Sequence, residues 1–457
     1  MFVKNENKVL LLKLNTCAND SNGIYDYTIS SNKNLQTFII QQTYFVRTKN
    51  NIYLNRNNHA DIKFEEGEED LIFYIKNETK DNYILINFIK KNLELNDANF
   101  NYINNKIWYV LKTTDLDNRD NDINCNEEYF LNENDIIKIG RLKYAVQKIH
   151  LLNKNNNVNE DAPAIPIVEN NYNISDLNKN TNPVFQNVYL VKNFKGYIDI
   201  DEKNKNVEEM EIKECKYCHL LKKNEETDDG ENFLISVCKC SELVHFKCLK
   251  YYIQSLKDVV DENDINIDES MVFKNYECPE CKNEYPTKFK LSNNNKIFNL
   301  IDIKEPEDCN YMILESIDYK QNDQYYKSIH IIKFIKESGE PITIGRENGN
   351  DIIDRDISMS RQHAILRFDK DKGKISIQNW KSKYGTLILI KKPIKILNKK
   401  IYLQVGRTFI EACLTNIEEY NKIREEQNKN QIKDENDDKQ NNKKENEIID
   451  EENEDDK

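Results

Sequence analysis

"PITIGRENGNDIIDRDISMSRQHAILRF", residues 341–368, alternates short apolar runs with polar turns, and "GKISIQNWKSKYGTLILI", residues 373–390, continues the pattern. Alternation of this kind, with Gly, Asn and Asp between the runs, predicts short strands joined by turns. Three polar motifs follow one another along this region, namely Gly345-Arg346, Ser360 with His363, and Gly385-Thr386. This part of the chain therefore predicts a β domain whose loops carry an arginine, a serine and a histidine.

These motifs resemble the forkhead-associated (FHA) domain, and the resemblance covers roughly residues 310–415. It implies a β-sandwich that binds phosphothreonine. A phosphothreonine is nearly dianionic and offers three acceptor oxygens, so a loop arginine and a hydroxyl donor suit it. By this resemblance the phosphothreonine-binding residues are Arg346, Ser360, Arg361 and Lys383. His363 would brace the loops. Many members of the family have Asn where this chain has Tyr384, and Lys383 would replace part of the lost attraction.

Seven of the eleven cysteines fall between residues 215 and 281. In a reducing compartment, clustered cysteines indicate metal ligands before they indicate disulfides. With one histidine they form four close pairs, which are Cys215 with Cys218, Cys238 with Cys240, His245 with Cys248, and Cys278 with Cys281. Zinc takes four thiolate or imidazole ligands in a tetrahedron, and short spacers let one turn present two of them. Eight ligands therefore predict two structural Zn²⁺ ions.

This C4HC3 pattern resembles two kinds of finger, the RING-CH finger of ubiquitin ligases and the PHD finger, which usually reads histone tails. The single residue between Cys238 and Cys240 is similar to RING-CH, whereas the short gap from Cys240 to His245 is closer to PHD. The apolar lead "ENFLISVCKC", the helix-like "HFKCLKYYIQSLKD" and Pro279 favour RING-CH. Both families interleave their sites. The resemblance thus implies a cross-brace finger over residues 211–288, in which the first and third pairs share one ion and the second and fourth pairs share the other.

The RING-CH resemblance implies an E3 ubiquitin ligase that positions a ubiquitin-conjugating enzyme, with no covalent intermediate on this chain. Protein ligands fill every coordination position, so the zinc would be structural and no residue of the chain catalytic. The conjugating-enzyme docking residues implied by the family are Tyr217, Tyr252, Pro279 and Lys282. Family members usually have an aliphatic residue in place of Tyr217 and Trp in place of Tyr252.

The N-terminal region resembles the C-terminal one at two places. "IYLNRNNHADI", residues 52–62, aligns with "ITIGRENGNDI", and "DIIKIGRLKYAV", residues 135–146, resembles "IYLQVGRTFIEA" of residues 401–412. Such internal similarity predicts a repeated sandwich. Asn55 replaces the glycine and no Ser-x-x-His motif follows, so residues 38–149 are expected to form a degenerate FHA-like domain without phosphate binding. An unrelated β domain is the alternative.

Charge and composition limit the classes of partner. The formal net charge is -13, and residues 418–457 account for -8 of it, so the rest of the chain is nearly balanced. No basic face dense enough for a phosphate backbone stands out, so no nucleic acid is expected. No long apolar run and no convincing signal peptide occur, so we expect no membrane span and a cytoplasmic or nuclear location. The acidic tail and the Asn-rich part of the linker, residues 150–210, are predicted to be disordered. Within residues 183–212, "PVFQNVYLVKNFKGYIDI" predicts a strand pair that leads to the finger.

Taken together, these features predict a multidomain, mainly β protein, in an order of modules that resembles a family of protist proteins. The leading hypothesis is a soluble RING-CH ligase that recruits phosphothreonine-bearing partners through its FHA domain. The alternative is a non-enzymatic phosphopeptide-binding adaptor with a PHD-like or inactive finger, and a third option is a purely structural scaffold. A methyl-lysine reader needs several rings around the cation, and Tyr217 and Tyr276 alone make a poor cage.

Overall fold

The computed structural model is built mainly from β-strands. It describes residues 8–17, 33–40, 43–47, 52–55, 70–79, 82–87, 107–111, 128–152, 188–191, 193–194, 214–219, 233–238, 243–258, 269–291, 297–317, 319–321, 324–334, 340–380, 382–391, 394–396, 400–406 and 408–416.

Strands are numbered in chain order. The first ten are β1 Lys8–Cys17, β2 Lys33–Ile40, β3 Thr43–Arg47, β4 Ile52–Asn55, β5 Asp70–Thr79, β6 Asn82–Asn87, β7 Ile107–Val110, β8 Glu128–Phe130, β9 Ile136–Ile139 and β10 Leu142–His150. The central elements are β11 Val188–Val191, β12 Asn193–Phe194, β13 Leu234–Ile235, β14 Val244–His245, helix α1 Phe246–Ser255, β15 Glu269–Lys274, β16 Lys288–Leu291 and β17 Ile297–Asn299. The last eleven strands are β18 Tyr311–Ser316, β19 Tyr319–Gln321, β20 Gln324–Lys333, β21 Ile342–Gly345, β22 Ile352–Ile353, β23 Ala364–Asp369, β24 Lys374–Asn379, β25 Thr386–Leu389, β26 Ile394–Ile396, β27 Ile401–Val405 and β28 Thr408–Asn416.

The largest sheet in the described part of the chain has twelve strands and is nearly symmetric about its centre. Its order is β15-β20-β18-β10-β9-β25-β7-β27-β28-β1-β2, with β19 paired to β20. At the centre β25 and β7 pair antiparallel, with Ile388 opposite Tyr109. Beyond β25 come β9 and β10, and beyond β7 come β27 and β28. The N-terminal hairpin, formed by β9 and β10, therefore lies between the C-terminal strands β25 and β18. The C-terminal hairpin, formed by β27 and β28, lies between the N-terminal strands β7 and β1.

Two five-stranded sheets repeat this exchange. Their orders are β22-β21-β23-β24-β8 and β4-β3-β5-β6-β26. In the first, β8 pairs with β24 and places Tyr129 opposite Ile377; in the second, β26 pairs with β6. The strands β8 and β26 hold equivalent positions, and each comes from the opposite half of the chain. Residues 128–150 and 394–416 are thus exchanged between two groups of strands with the same order.

The core reflects the exchange, because side chains from both halves pack in one cluster. Ile137 and Tyr144 of the N-terminal hairpin lie in the same cluster as Leu366 and Ile377 of the C-terminal strands. Every residue of β25 and of β27 is buried, as expected for central strands covered on both faces. The two hairpins are similar in sequence, so each presents the apolar pattern that the other group of strands needs.

The cysteine-rich segment packs against one edge of the large sheet. Strand β15 pairs antiparallel with β20, with Met271 opposite Ile329. Helix α1 buries Phe246, Leu249 and Ile253, whose spacing places them on one helix face. These three side chains share a core cluster with Ile329 and other residues of β18 and β20. The cysteine-rich segment and the sheet edge therefore have one hydrophobic core in common.

The prediction of a mainly β fold is confirmed, with one α-helix among the described residues. The domain boundaries stay a prediction, but strand pairing adds that strands β8, β9 and β10, assigned to the N-terminal domain apart from the last residue of β10, pair with C-terminal strands. The acidic tail, most of the linker and Cys240 lie outside the described residues. Within the described ranges, no helix is long and apolar enough to cross a membrane.

Candidate metal centres and phosphate-binding loops

Four of the predicted metal ligands converge where β14 leads into helix α1. The ligand atoms of Cys215, Cys218, His245 and Cys248 all lie within 4.8 Å of one another. The Nδ1 atom of His245 is 3.2 Å from Sγ of Cys218 and 3.9 Å from Sγ of Cys248. Tetrahedral zinc, with bonds of about 2.0 Å to nitrogen and about 2.3 Å to sulfur, separates such ligand atoms by about 3.6 Å. The donor set and its spacing therefore fit a zinc ion.

A second group joins Cys238 to Cys278 and Cys281, whose sulfur atoms also lie within 4.8 Å of one another. The fourth predicted ligand, Cys240, lies outside the described residues. Thiolate ligands suit a soft or borderline metal ion. The side-chain amide of Asn283 donates a hydrogen bond to Sγ of Cys281 at 3.3 Å. The first ligand pair thus groups with the third, and the one described member of the second pair groups with the fourth, so both clusters could hold a metal ion.

The two Cys-x-x-Cys turns share one backbone geometry. The N–H of His219 donates to the carbonyl of Cys215 at 2.9 Å, and the N–H of Lys282 donates to the carbonyl of Cys278 at 2.9 Å. His219 and Lys282 both have φ of 56°, a left-handed conformation that is unusual for residues other than glycine. His219 is exposed and does not belong to the described clusters. The repeated turn brings the two sulfurs of each pair into one group.

The backbone also favours the thiolate form of Cys215. The N–H of His245 lies 3.3 Å from its Sγ. Burial raises the pKa of the Cys215 thiol, but hydrogen bonds from the backbone of His245, Cys218 and Tyr217 outweigh burial and lower the pKa. Because the thiolate is the form that binds metal, this environment prepares Cys215 as a ligand.

Two of the predicted docking residues stack on each other beside the first Cys-x-x-Cys turn. The rings of Tyr217 and Tyr252 lie 5.0 Å apart at 23°, and Tyr285 packs edge-on against Tyr252. Both stacked rings are half-buried, whereas the neighbouring Tyr251 is 70% exposed. Burial raises the pKa of Tyr217 to about 12, so its phenol stays neutral near pH 7. Tyr252 therefore both packs in the segment and reaches its surface.

The other two predicted docking residues, Pro279 and Lys282, lie on or directly after the last Cys-x-x-Cys turn and are exposed. Lys282 lies 3.5 Å from the carboxylate of Glu277. A second ion pair, between Lys216 and Glu280 at 3.0 Å, connects the first Cys-x-x-Cys turn to the last. Exposed ion pairs add little stability, so the main consequence of this pair is to locate the two turns side by side.

A buried ion cluster connects the cysteine-rich segment to the large sheet. Lys327 of β20 contacts the carboxylate of Glu284 and lies 3.3 Å from that of Glu315 on β18. Its ammonium group also donates to the carbonyl of Ser316 at 2.9 Å, and Thr287 donates to Glu315 at 3.1 Å. The three charged side chains are no more than 10% exposed. Because buried charges require partners, this cluster fixes the segment against the sheet.

His363 connects the loops that carry the three C-terminal motifs. Its Nδ1 accepts the N–H of Ser360 at 3.0 Å, so Nε2 carries the proton and donates to the carbonyl of Gly385 at 3.0 Å. The ring is fully buried. From the protein interior, His363 therefore connects the loop of Ser360 to the loop of Gly385, and its ring does not face solvent.

Ser360 lies beside Arg346 because the N–H of Arg346 donates to the carbonyl of Ser360 at 3.1 Å. The hydroxyl oxygen of Ser360 accepts the backbone N–H of Lys383 at 2.9 Å, which leaves its hydrogen able to donate outward. The side chains of Arg346, Arg361 and Lys383 are exposed. The loops thus bring the backbones of three residues with exposed cationic side chains next to Ser360.

Gly345 permits the close approach of the two loops. A Cβ atom at this position would lie 2.1 Å from the carbonyl oxygen of Arg361. The side-chain amide of Asn350 donates to the same carbonyl at 2.8 Å and to that of Glu347 at 2.7 Å. The absence of a side chain at Gly345 therefore allows Arg346 to lie close to the loop between β22 and β23, which carries Ser360 and is called the serine loop below.

Residues outside the three motifs also support these loops, and the sequence did not reveal them. The side-chain oxygen of Asn379 accepts hydrogen bonds from Ser382 and Thr386. From the turn between β9 and β10, Arg141 reaches the carboxylate of Asp356 at 3.1 Å. The similarity between the Gly-Arg hairpins was the available signal, but it did not reveal that the hairpins are exchanged.

No curated protein and no solved structure matches this chain. No RING-CH family match accompanies the cysteine clusters. Residues 342–410 match the FHA domain family, whose members bind phosphothreonine-containing proteins. The match includes β27 and the start of β28, although here these strands pair with β7 and β1. The chain therefore contains an FHA domain.

Proposed function

We propose that this protein binds phosphothreonine-containing partners through Arg346 and Ser360. The observation that carries the proposal is the brace formed by His363, which fixes the backbone of Ser360, whose carbonyl accepts the N–H of the exposed Arg346. A phosphothreonine has the charge and the acceptor oxygens that a guanidinium and a hydroxyl donor satisfy.

Arg361 and Lys383 extend the proposed site. Both side chains are exposed, and the backbone of Lys383 is tied to Ser360. The ammonium group of Lys383 lies 5.2 Å from the ring of Tyr384. We infer that these two cations contact the phosphopeptide on either side of the phosphate.

The experiment uses the full chain and a degenerate library of phosphothreonine peptides, with the unphosphorylated library as reference. Arg346→Ala and Ser360→Ala should each weaken binding of a selected peptide by roughly 10- to 150-fold, as expected for losing a hydrogen bond to a charged group. Arg367→Ala, on strand β23, is the matched control and should bind normally. Equal binding of both libraries would contradict the proposal.

We also propose that the two clusters hold structural zinc ions, with Cys240 as the eighth ligand. The support is the grouping of Cys215, Cys218, His245 and Cys248, and of Cys238, Cys278 and Cys281. Closed four-ligand sites of this kind stabilise a fold and leave no position for water. Elemental analysis of the purified chain should give two zinc ions per molecule, and fewer in Cys248→Ala.

A second candidate function is that of an E3 ubiquitin ligase. One observation favours it, the half-buried Tyr217–Tyr252 stack, whereas the interleaved grouping of the ligands fits a RING-CH and a PHD-like finger equally. We infer that this stack, with the exposed Pro279 and Lys282, docks a ubiquitin-conjugating enzyme. The rival is a phosphopeptide-binding adaptor whose finger is PHD-like or inactive.

Autoubiquitination of the full chain against a panel of conjugating enzymes distinguishes these candidates. The full chain is needed because the finger shares its core with β18 and β20. Tyr252→Ala should abolish chain formation, whereas Tyr251→Ala, the neighbouring exposed tyrosine, should not. Silence across the panel with a zinc-loaded protein would favour the adaptor over the ligase.

We further propose that the N-terminal strands form a degenerate FHA-like sandwich that does not bind phosphate. The matching orders β22-β21-β23-β24-β8 and β4-β3-β5-β6-β26 support this. Asn55 stands where the C-terminal copy has Gly345, and no Ser-x-x-His motif follows it. The cytoplasmic or nuclear location and the absence of a nucleic-acid partner stay predictions.

A further inference from the structure

The loop that presents Ser360 has a buried carboxylate at its base. This loop joins β22 to β23, and within it Asp356 accepts the N–H of Ser358 at 2.8 Å. The side chain of Asp356 is 2% exposed, although the next residue, Ile357, is 78% exposed. A buried carboxylate in a solvent-facing loop needs strong partners to keep its place.

Arg141, in the turn between β9 and β10, is such a partner. Its Nη2 atom lies 3.1 Å from one carboxylate oxygen of Asp356 and 3.3 Å from the other. Its backbone N–H donates to the hydroxyl oxygen of Ser358 at 2.8 Å. One residue therefore holds the loop by its side chain and by its backbone, and hydrogen bonds between charged groups are the stronger kind.

The residues around Arg141 are shaped for this contact. Gly140 has φ of 63°, and a Cβ atom there would lie 2.5 Å from the hydroxyl oxygen of Ser358. The hydroxyl of Tyr144 donates to the carboxylate of Asp354 at 2.9 Å. Three residues of one hairpin thus contact three residues of the loop.

The equivalent C-terminal hairpin does not occupy this position. It carries Gly406 and Arg407 in the same sequence pattern and lies largely within the FHA match. Its strands pair instead with β7 and β1. The support for the serine loop therefore comes from residues 136–150, about two hundred residues earlier in the chain.

We infer that Arg141 is a positioning residue for phosphothreonine recognition, which acts through Asp356 to set the loop that presents Ser360. The inference rests on the proposed phosphothreonine binding and deepens it. The recognition unit of this chain then comprises residues 128–150 together with the C-terminal strands from β21 to β25.

The first test measures the affinity of the full chain for a phosphothreonine peptide selected from a degenerate library, well below the unfolding temperature. Arg141→Ala should weaken binding about tenfold, the loss expected for one charge-assisted hydrogen bond. Arg407→Ala, the matched residue of the other hairpin, should keep normal affinity. Arg141→Lys, which keeps the cation opposite Asp356, should lose less affinity than Arg141→Ala. Normal affinity in Arg141→Ala, or an equal loss in Arg407→Ala, overturns the inference.

The second test does not depend on any peptide. Arg355 is exposed within the loop, so the rate of tryptic cleavage after it, read by mass spectrometry, reports how often the loop opens. Arg141→Ala should raise that rate about tenfold relative to Arg407→Ala. If the wild-type chain binds no phosphothreonine peptide, the proposed function fails, and an unchanged cleavage rate separately overturns the positioning role of Arg141.

Discussion

The metal centres and the phosphate-binding loops are both built from side chains on turns, but they close over different lengths of chain. All described ligands of the two metal centres lie between Cys215 and Cys281. The serine loop, by contrast, is held by Arg141, which precedes Asp356 by 215 residues. A bound metal ion would stabilise sites of the first kind, whereas strand pairing between remote segments stabilises the second.

This difference determines how each site fails. If the clusters hold metal ions, removing one ligand should weaken metal binding and the fold together, because metal binding is coupled to folding. The phosphate-binding loops rest on several hydrogen bonds, from His363, Asn350 and Arg141, and should weaken in steps. Four measurements test this contrast.

The largest effect is expected from metal removal. Each ion should contribute on the order of 10 kcal/mol to folding of the finger. Because β15 pairs with β20, chelation should also lower the unfolding temperature of the FHA domain, measured by calorimetry. Cys309→Ser, a cysteine outside both clusters, serves as the control and should keep both metals. An FHA transition that stays in place after chelation would show that the two regions unfold independently.

The next largest effect concerns the buried ion cluster. Lys327→Met leaves the carboxylates of Glu284 and Glu315 buried without their cation, which should cost about 3 to 5 kcal/mol in urea unfolding. Adding Glu284→Gln and Glu315→Gln to the same chain should restore most of the stability. A small loss in the single variant would indicate that the cluster does not join the finger to the sheet.

A smaller effect should follow from pH at the same junction. Burial lowers the pKa of His330 from 6.5 to about 4, and its Nδ1 lies 2.9 Å from the hydroxyl of Ser270 on β15. Between pH 4 and pH 6.5 the unfolded state therefore binds more protons than the folded state. The free energy of unfolding consequently decreases as the pH falls from 6.5 toward 4. The loss should reach roughly 3 kcal/mol at the acid end. Urea unfolding of His330→Gln should show a flatter dependence on pH than the wild type; identical slopes would contradict the assignment.

The smallest effects test the approach of the phosphate-binding loops. Gly345→Ala places a methyl group 2.1 Å from a backbone oxygen and should cost about 1 to 3 kcal/mol, with weaker phosphopeptide binding. Gly349→Ala is the matched control: it meets open space, and its φ of 96° should cost about 1 kcal/mol without affecting binding. Equal effects on binding in the two variants would argue against a role for the close approach.

The parts of the molecule that depend on short spacings could be predicted from the sequence. The three motifs from Gly345 to Thr386 located the FHA domain, and the ligand pairs from Cys215 to Cys281 located the clusters. In each case a turn of a few residues fixes the relative positions of the motif residues. The spacing of these residues in the sequence is therefore enough to predict that they lie together.

Strand partners could not be predicted in the same way. The alternating pattern of a strand shows which face is buried but not which strand lies beside it. The hairpins of β9–β10 and β27–β28 have similar patterns, so either could complete either sandwich. The contact of Arg141 with Asp356 depends on the exchange of the two hairpins. Because the exchange could not be predicted, this contact could not be predicted either. The contact of Lys327 with Glu284 was missed for the same reason, since it requires the pairing of β15 with β20.

The exchange of residues 128–150 and 394–416 also bears on how the chain is made. A ribosome delivers the protein from its N-terminus, so β8, β9 and β10 emerge long before the strands that will flank them. The early strands β1, β6 and β7, in turn, pair with strands β26, β27 and β28 that are synthesised much later. Unpaired strand edges invite pairing with other chains, and contacts between remote segments form slowly. We expect this protein to be most vulnerable to aggregation during its own synthesis, and to need chaperone protection of the nascent chain until β28 has emerged.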